Sequence, residues 1–222
     1  MIKVENVEVL NLEGALRGMR NPLQSHSKSD SAYGCDVERL CANCEFNPNW
    51  CGNTIHYVVG KNDLELMQKL YKAGTEHRKY LRQIFVSMDI VAPLYWWKEF
   101  DTYKVGTVAN SCSTMHKIAA KEFELDDFSH EHLFGSSISV LDKVVDELNE
   151  WRAFYLESKN KKEWWQLIQL LPSSYNQRRT ITMNYENVVT IIKQRTGHRL
   201  TEWGDFCAEL NKLPYVEEIM QE

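Results

Sequence analysis

The chain has 222 residues, 43% of them apolar, with only 10 glycines and five prolines. That composition can bury a sizeable core and excludes long disorder, collagen-like and low-complexity classes. A net charge of −5 argues against a general nucleic-acid coat protein and leaves room only for a local basic pocket.

Lys3 to Leu12 alternates at Val4, Val7 and Val9 and predicts a first strand. Leu12 to Met19 predicts a short helix ended by Asn21-Pro22. Gln24 to Asn53 is polar, rich in cysteine, and irregular. Asn62 is expected to cap a helix with Leu64, Met67 and Tyr71 on one face and Gly74 as its stop. Ile84 to Ile90 reads as a strand, and Pro93 opens an aromatic helix, PLYWWKEFDTY. Val105 to Met115, small and hydroxyl-rich, reads as a loop. Ser137 to Ser158 is a long amphipathic helix, followed by Lys161 to Leu171, which Pro172 ends. Arg178 to Asn184 is a strand, Glu186 to Gln194 a helix broken by Gly197, and Thr201 to Leu210 a last helix. Together they predict an α+β fold, helix-rich with a small segregated sheet. No linker interrupts it, so 1–222 is expected to be one domain with a Cys-rich insertion at 24–56. The first 14 residues carry Lys3, Glu5, Glu8 and Glu13 and no apolar signal region. No run approaches the roughly 18 apolar residues of a membrane span. A soluble, cytoplasmic protein is the expectation, with no membrane and no polymeric nucleic acid as partner.

Four of the six cysteines cluster: Cys35, Cys41, Cys44 and Cys51. Cys41-x2-Cys44 has the spacing of a zinc knuckle, and the flanking pair could complete a tetrahedron, with His56 as a spare ligand. Four thiolates would leave no open position, so such a zinc would staple a loop. Free thiols in a surface loop, or redox and iron–sulfur chemistry, fit the same residues.

Two stretches carry a family resemblance. The first, HRKYLRQIFVSMDIVAPLYWWKEFDTYKVG, runs from strand through Ala92-Pro93 into an aromatic helix, with Thr102-Tyr103-Lys104 at its end. The second, LLPSSYNQRRTITMNYENVVTIIKQR, holds Leu171-Pro172, Thr182, Asn184 and Arg195 over 25 residues without a gap. Both resemble the flavin-dependent thymidylate synthases, the ThyX family, over about two-thirds of the chain. The resemblance implies a ThyX-like fold with a mainly antiparallel sheet. It also implies a homotetramer that binds FAD and dUMP between subunits. Such an enzyme moves a methylene from methylenetetrahydrofolate to uracil C5 and reduces it with flavin hydride, using no protein nucleophile.

Residue by residue, the resemblance sets Arg195 against the pyrimidine, where it would stabilise developing negative charge. It sets Asn184 and Thr190 by the flavin and Lys104 by the nucleotide; the hydroxyls of Thr107, Ser111 and Ser113 suit phosphate or ribose, and Arg178 could reach an anion in the same pocket. Two departures stand out. Thr102-Tyr103-Lys104 replaces the family's Arg-His-Arg signature, and a lysine does not reproduce a guanidinium fork on phosphate. Thr107 to Thr114, TVANSCST, replaces a serine-rich run and lacks its arginine. The alternative reading is a catalytically degenerate protein of the same fold that holds a nucleotide or signalling nucleotide without turnover.

The remaining candidates weigh toward plainer roles. Trp96 and Trp97 diverge by about 100° on a helix, which predicts one in the core and the other at an interface or on a ring. Arg178 and Arg179 point to opposite faces of a strand. Cys112 lacks any nucleophile motif and is expected to be small and buried. Arg20 and the Ser25–Ser31 run resemble a nucleotide-contacting segment of the family, although a surface loop explains them as well.

Overall fold

The computed structural model describes residues 2–34 and 56–221. In chain order these form β1 (Lys3–Leu10), α1 (Leu12–Arg20), β2 (Ala32–Gly34), β3 (His56–Val58), α2 (Lys61–Lys72), β4 (Phe85–Pro93) and α3 (Leu94–Phe100). There follow β5 (Thr107–Ser111), α4 (Thr114–Lys117), α5 (Ser136–Ser158), α6 (Lys161–Leu170), β6 (Asn176–Asn184), α7 (Tyr185–Arg195), α8 (Thr201–Asn211) and α9 (Val216–Met220). Four strands form a small, mainly antiparallel sheet in the order β1-β4-β6-β5. Alternation sets its faces: Val86, Met88, Ile90 and Ala92 of β4 are fully buried, as are Ile181 and Met183 of β6. Ahead of them on β6, Arg178 and Thr180 face outward.

The chain divides into two compact units. The first holds Met1–Glu8, Ser87–Met183 and Arg195–Glu209. Its centre is aromatic: the Trp96 ring sits 4.9 Å from Trp97, 5.1 Å from Phe100 and 4.7 Å from Trp203. Trp96 and Trp97 are both fully buried, which corrects the expectation that only one of them is in the core and the other packs at an interface or on a ring. Two facts explain it: α3 is covered on more than one side, and the Trp97 Nε1–H donates to the Gln177 carbonyl at 2.9 Å. A second apolar cluster gathers Phe123, Phe128, Leu141, Leu148 and Leu167, where α5 packs on α6.

In the same unit, Val105 to Met115 is not a loop throughout. Thr107–Ser111 pairs antiparallel with β6, from Thr107 opposite Met183 to Ser111 opposite Arg179. Its own pattern is weak because an edge strand is ordered by the partner ladder rather than by burial. Ser113 then caps α4, accepting from the His116 N–H at 3.1 Å. Cys112 is exposed, contrary to expectation, since it lies just beyond the last paired residue of this edge.

The second unit holds Val9–Val86, Asn184–Gln194 and Leu210–Glu222. Ala15, Leu16, Met67, Leu81, Tyr185, Val188 and Ile191 are buried in it, and α2 packs on α9. The cap of α2 differs from the sequence expectation. Helix α2 begins at Lys61 with Gly60 before it, and Asn62 lies inside the first turn. The capping acceptor is Asp30, whose carboxylate takes the N–H groups of Asn62 at 2.8 Å and Asp63 at 3.1 Å. A Cβ at residue 60 would lie 2.4 Å from the Asp30 carbonyl, so only glycine fits there. Strands β2 and β3 pair antiparallel, with Ala32 opposite Val58 and Gly34 opposite His56. Among the described residues, no helix is long and apolar enough to cross a membrane.

Candidate functional site

Arg195 is the last residue of α7, and Gly197 follows with φ +77°, a left-handed turn that stops the helix. The turn brings three elements of the first unit around one guanidinium. Nε donates to the Tyr103 hydroxyl at 2.8 Å, and Nη1 donates to the Glu99 carboxylate at 2.7 Å. The guanidinium carbon lies 4.3 Å from the centre of the Trp203 ring and 5.5 Å from that of Tyr103, so a flat cation stacks on a flat floor. Glu99 Oε2 also accepts from the Trp203 indole N–H at 3.0 Å. His198 joins the group with Nε2 3.5 Å from that same oxygen. The Leu200 N–H donates to His198 Nδ1 at 3.2 Å, and Nε2 lies 3.2 Å from Arg195 Nη1, so the imidazole is pinned between the backbone and the guanidinium. The arrangement combines a charge pair, an imidazole and an aromatic surface.

Two further arginines of this unit are also paired. Arg178 bridges Asp89 at 2.9 Å and Glu5 at 3.0 Å across the open face of the sheet. Hydrogen bonds from Arg178, Thr180 and Asn6 hold the Asp89 carboxyl well below the usual carboxylate range. Arg179 turns the other way, bonding Asp101 at 2.7 Å with its guanidinium carbon 4.3 Å from the centre of the Trp97 ring. Tyr95 donates to the carboxylate of Glu202, which is buried. Burial and the Glu202 carboxylate both push the Tyr95 hydroxyl upward.

The sequence candidates fall in several places. Lys104 is exposed just before β5, Thr107 and Ser111 are the two ends of that strand, and Ser113 caps α4. Arg178 and Arg195 belong to the same unit as these four. Asn184 and Thr190 belong to the second unit. There the buried Asn184 caps α7, its Oδ1 taking the Asn187 N–H at 3.1 Å. Cys35, Cys41, Cys44 and Cys51 lie outside the described residues. Among the described residues, no group of three or more His, Cys, Asp and Glu side chains is placed to hold a metal ion. Sequence reasoning missed Glu99, His198 and Trp203. The available signal was the run from Arg195 through Gly197 to His198: a helix stop that folds the next polar residue back onto the arginine.

No family model matches the chain, and no curated protein matches it by sequence. Solved structures do. The chain is similar to thymidylate synthase X (ThyX) from Helicobacter pylori with FAD and dUMP. That match has a TM-score of 0.66 at 16% identity and covers 100% of this chain and 98% of that one. It is likewise similar to a second structure of flavin-dependent thymidylate synthase ThyX from the same organism, complexed with FAD and dUMP. There the TM-score is 0.64 at 16% identity, with 97% and 98% of the two chains covered. The fold of this chain is therefore ThyX-like: α+β, helix-rich, with a small antiparallel sheet.

Proposed function

We propose that the chain is a divergent thymidylate-synthase-like flavoprotein that transfers a methyl or hydroxymethyl group to a pyrimidine nucleotide such as dUMP. One observation carries the reading: both similar structures, matched over nearly their whole length, are bound to FAD and dUMP. In this reading the chain works as a homotetramer in the cytoplasm, with a reduced folate as one-carbon donor. FAD, when bound, supplies the reducing hydride, and the protein positions and polarises the pyrimidine. The donor set fits a phosphate-bearing cofactor or substrate. Lys104 is exposed, and Thr107, Ser111 and Ser113 follow it with hydroxyl groups, a set suited to phosphate and ribose. Arg195 with Trp203 offers the pyrimidine a cation on an aromatic floor. Asn184 and Thr190 are assigned to the flavin by resemblance alone.

The test is direct. Purified protein should be yellow, or should melt at a higher temperature once FAD is added. With dUMP, methylenetetrahydrofolate and a reductant it should give a methylated or hydroxymethylated pyrimidine nucleotide by mass spectrometry. A colourless protein indifferent to FAD rejects the reading.

A second reading, nucleotide binding without turnover, is favoured by one observation. The guanidinium groups of Arg178, Arg179 and Arg195 are each paired with carboxylates of this chain. It predicts nucleotide binding with no folate-dependent product. Zinc at the cysteine cluster rests on the Cys41-x2-Cys44 spacing alone. It predicts one zinc per chain in a native mass spectrum, lost in the Cys41→Ser/Cys44→Ser variant.

A further inference from the structure

The Glu99 carboxylate sits 2.7 Å from the Arg195 guanidinium, and together they carry no net charge. The carboxylate is the more accessible partner, with its side chain 37% exposed against 17% for Arg195. An anion that approaches Arg195 from solvent therefore meets a negative charge beside the positive one. Its repulsion is of the same size as the attraction it opposes, because the two charges lie at similar distances from the incoming anion. A neutral ring meets the reverse situation. An N–H beside a C=O finds an acceptor in Glu99 and a donor in Arg195, each already oriented. Trp203 holds both, by stacking under the guanidinium and by donating its indole N–H to Glu99. His198 Nε2 lies 3.2 Å from Arg195 Nη1 and packs beside the same pair.

We propose that Glu99 is a specificity-determining residue. It converts Arg195 from an anion clamp into half of a donor–acceptor pair. The site then takes the neutral N–H/C=O edge of a pyrimidine base and rejects phosphate at that position. The inference rests on the pyrimidine-binding reading above and sharpens it. Any phosphate of the ligand is left to other donors of the same unit, such as Lys104 and the hydroxyls that follow it.

The experiment uses 2′-deoxyuridine as ligand, inorganic phosphate as competitor, and the full chain. Wild-type protein binds deoxyuridine, and phosphate in large excess does not displace it. In Glu99→Gln, phosphate becomes a competitor that raises the apparent Kd for deoxyuridine about tenfold, the effect of freeing one unit charge. Glu99→Gln/Arg195→Gln loses that competition again, which localises it to Arg195. Glu99→Asp keeps the charge and continues to exclude phosphate. Melting curves confirm that each variant is folded. Phosphate competing equally in wild type and Glu99→Gln, or competing with neither while deoxyuridine binds both, overturns the proposal and leaves the pyrimidine reading standing. Wild-type protein that binds neither deoxyuridine nor dUMP overturns both together.

Discussion

Arg20 and Asp63 meet at 2.6 Å with both side chains almost wholly inside the second unit. Asp63 also accepts from the hydroxyls of Ser29 at 2.7 Å and Ser31 at 2.6 Å, and from the Ser31 N–H at 3.1 Å. Burial pushes the Asp63 carboxyl up, but hydrogen bonds from Ser31, Ser29 and Arg20 outweigh it, and its pKa is lowered. The polar run from Ser25 to Ser31 therefore serves in part as the wall of a buried ion pair.

Asp63→Asn should be severely destabilising, because it leaves the Arg20 guanidinium buried without its counter-charge. Loss of one partner of a buried pair costs about 3–5 kcal/mol, read as a drop in melting temperature. The pH dependence has a definite sign. A carboxyl with a lowered folded pKa adds stability that is complete above its ordinary value of about 3.9. That stability is lost as pH falls through the folded pKa. Wild-type melting temperature should fall below about pH 4, and the variant should show a shallower acid limb. Equal acid limbs would show that Asp63 titrates alike in both states.

Arg195→Lys keeps the charge but loses the planar fork, the stack on Trp203 and the bond from Nε to Tyr103. Binding of deoxyuridine should weaken about tenfold, or about 1.4 kcal/mol, while the protein stays folded. Calorimetric titration measures it, and unchanged affinity would remove Arg195 from the pyrimidine site.

Tyr95→Phe deletes the donor to the buried Glu202 carboxylate. A buried acceptor stripped of its partner costs about 1–3 kcal/mol. Urea unfolding should show that loss. Tyr95→Phe/Glu202→Gln should recover part of it, since the amide replaces a buried charge with a neutral group.

Gly60→Ala brings a methyl group within 2.4 Å of the Asp30 backbone and side chain. Forcing them apart disrupts the cap of α2 at a cost of about 1–3 kcal/mol. A thermal melt checks it; the same substitution at Gly204, where an added Cβ meets nothing within 4 Å, is the control and should not destabilise.

Most of the fold was legible because its elements announce themselves locally. The alternation of Val86, Met88, Ile90 and Ala92 and the breaker at Gly197 each reflect a period or a φ preference that acts within a few residues. Asp30 and Thr107–Ser111 were hidden for the opposite reason. One caps a helix some 30 residues away, and the other is a strand only because β6 lies beside it. Arg195 was legible as a candidate through its setting in the Leu-Pro…Thr-x-Asn…Arg pattern. Glu99 was not: nothing in PLYWWKEFDTY says that this one of its two acidic residues will meet a cation 96 positions later.

The short β2–β3 ladder has a practical corollary. Because Gly34 stands opposite His56, the two chain ends that flank residues 35–55 are held at a single rung. Closing a circuit at that rung becomes only slowly more costly as it lengthens. Joining Gly34 to His56 through a tight reverse turn should therefore leave the ladder in register.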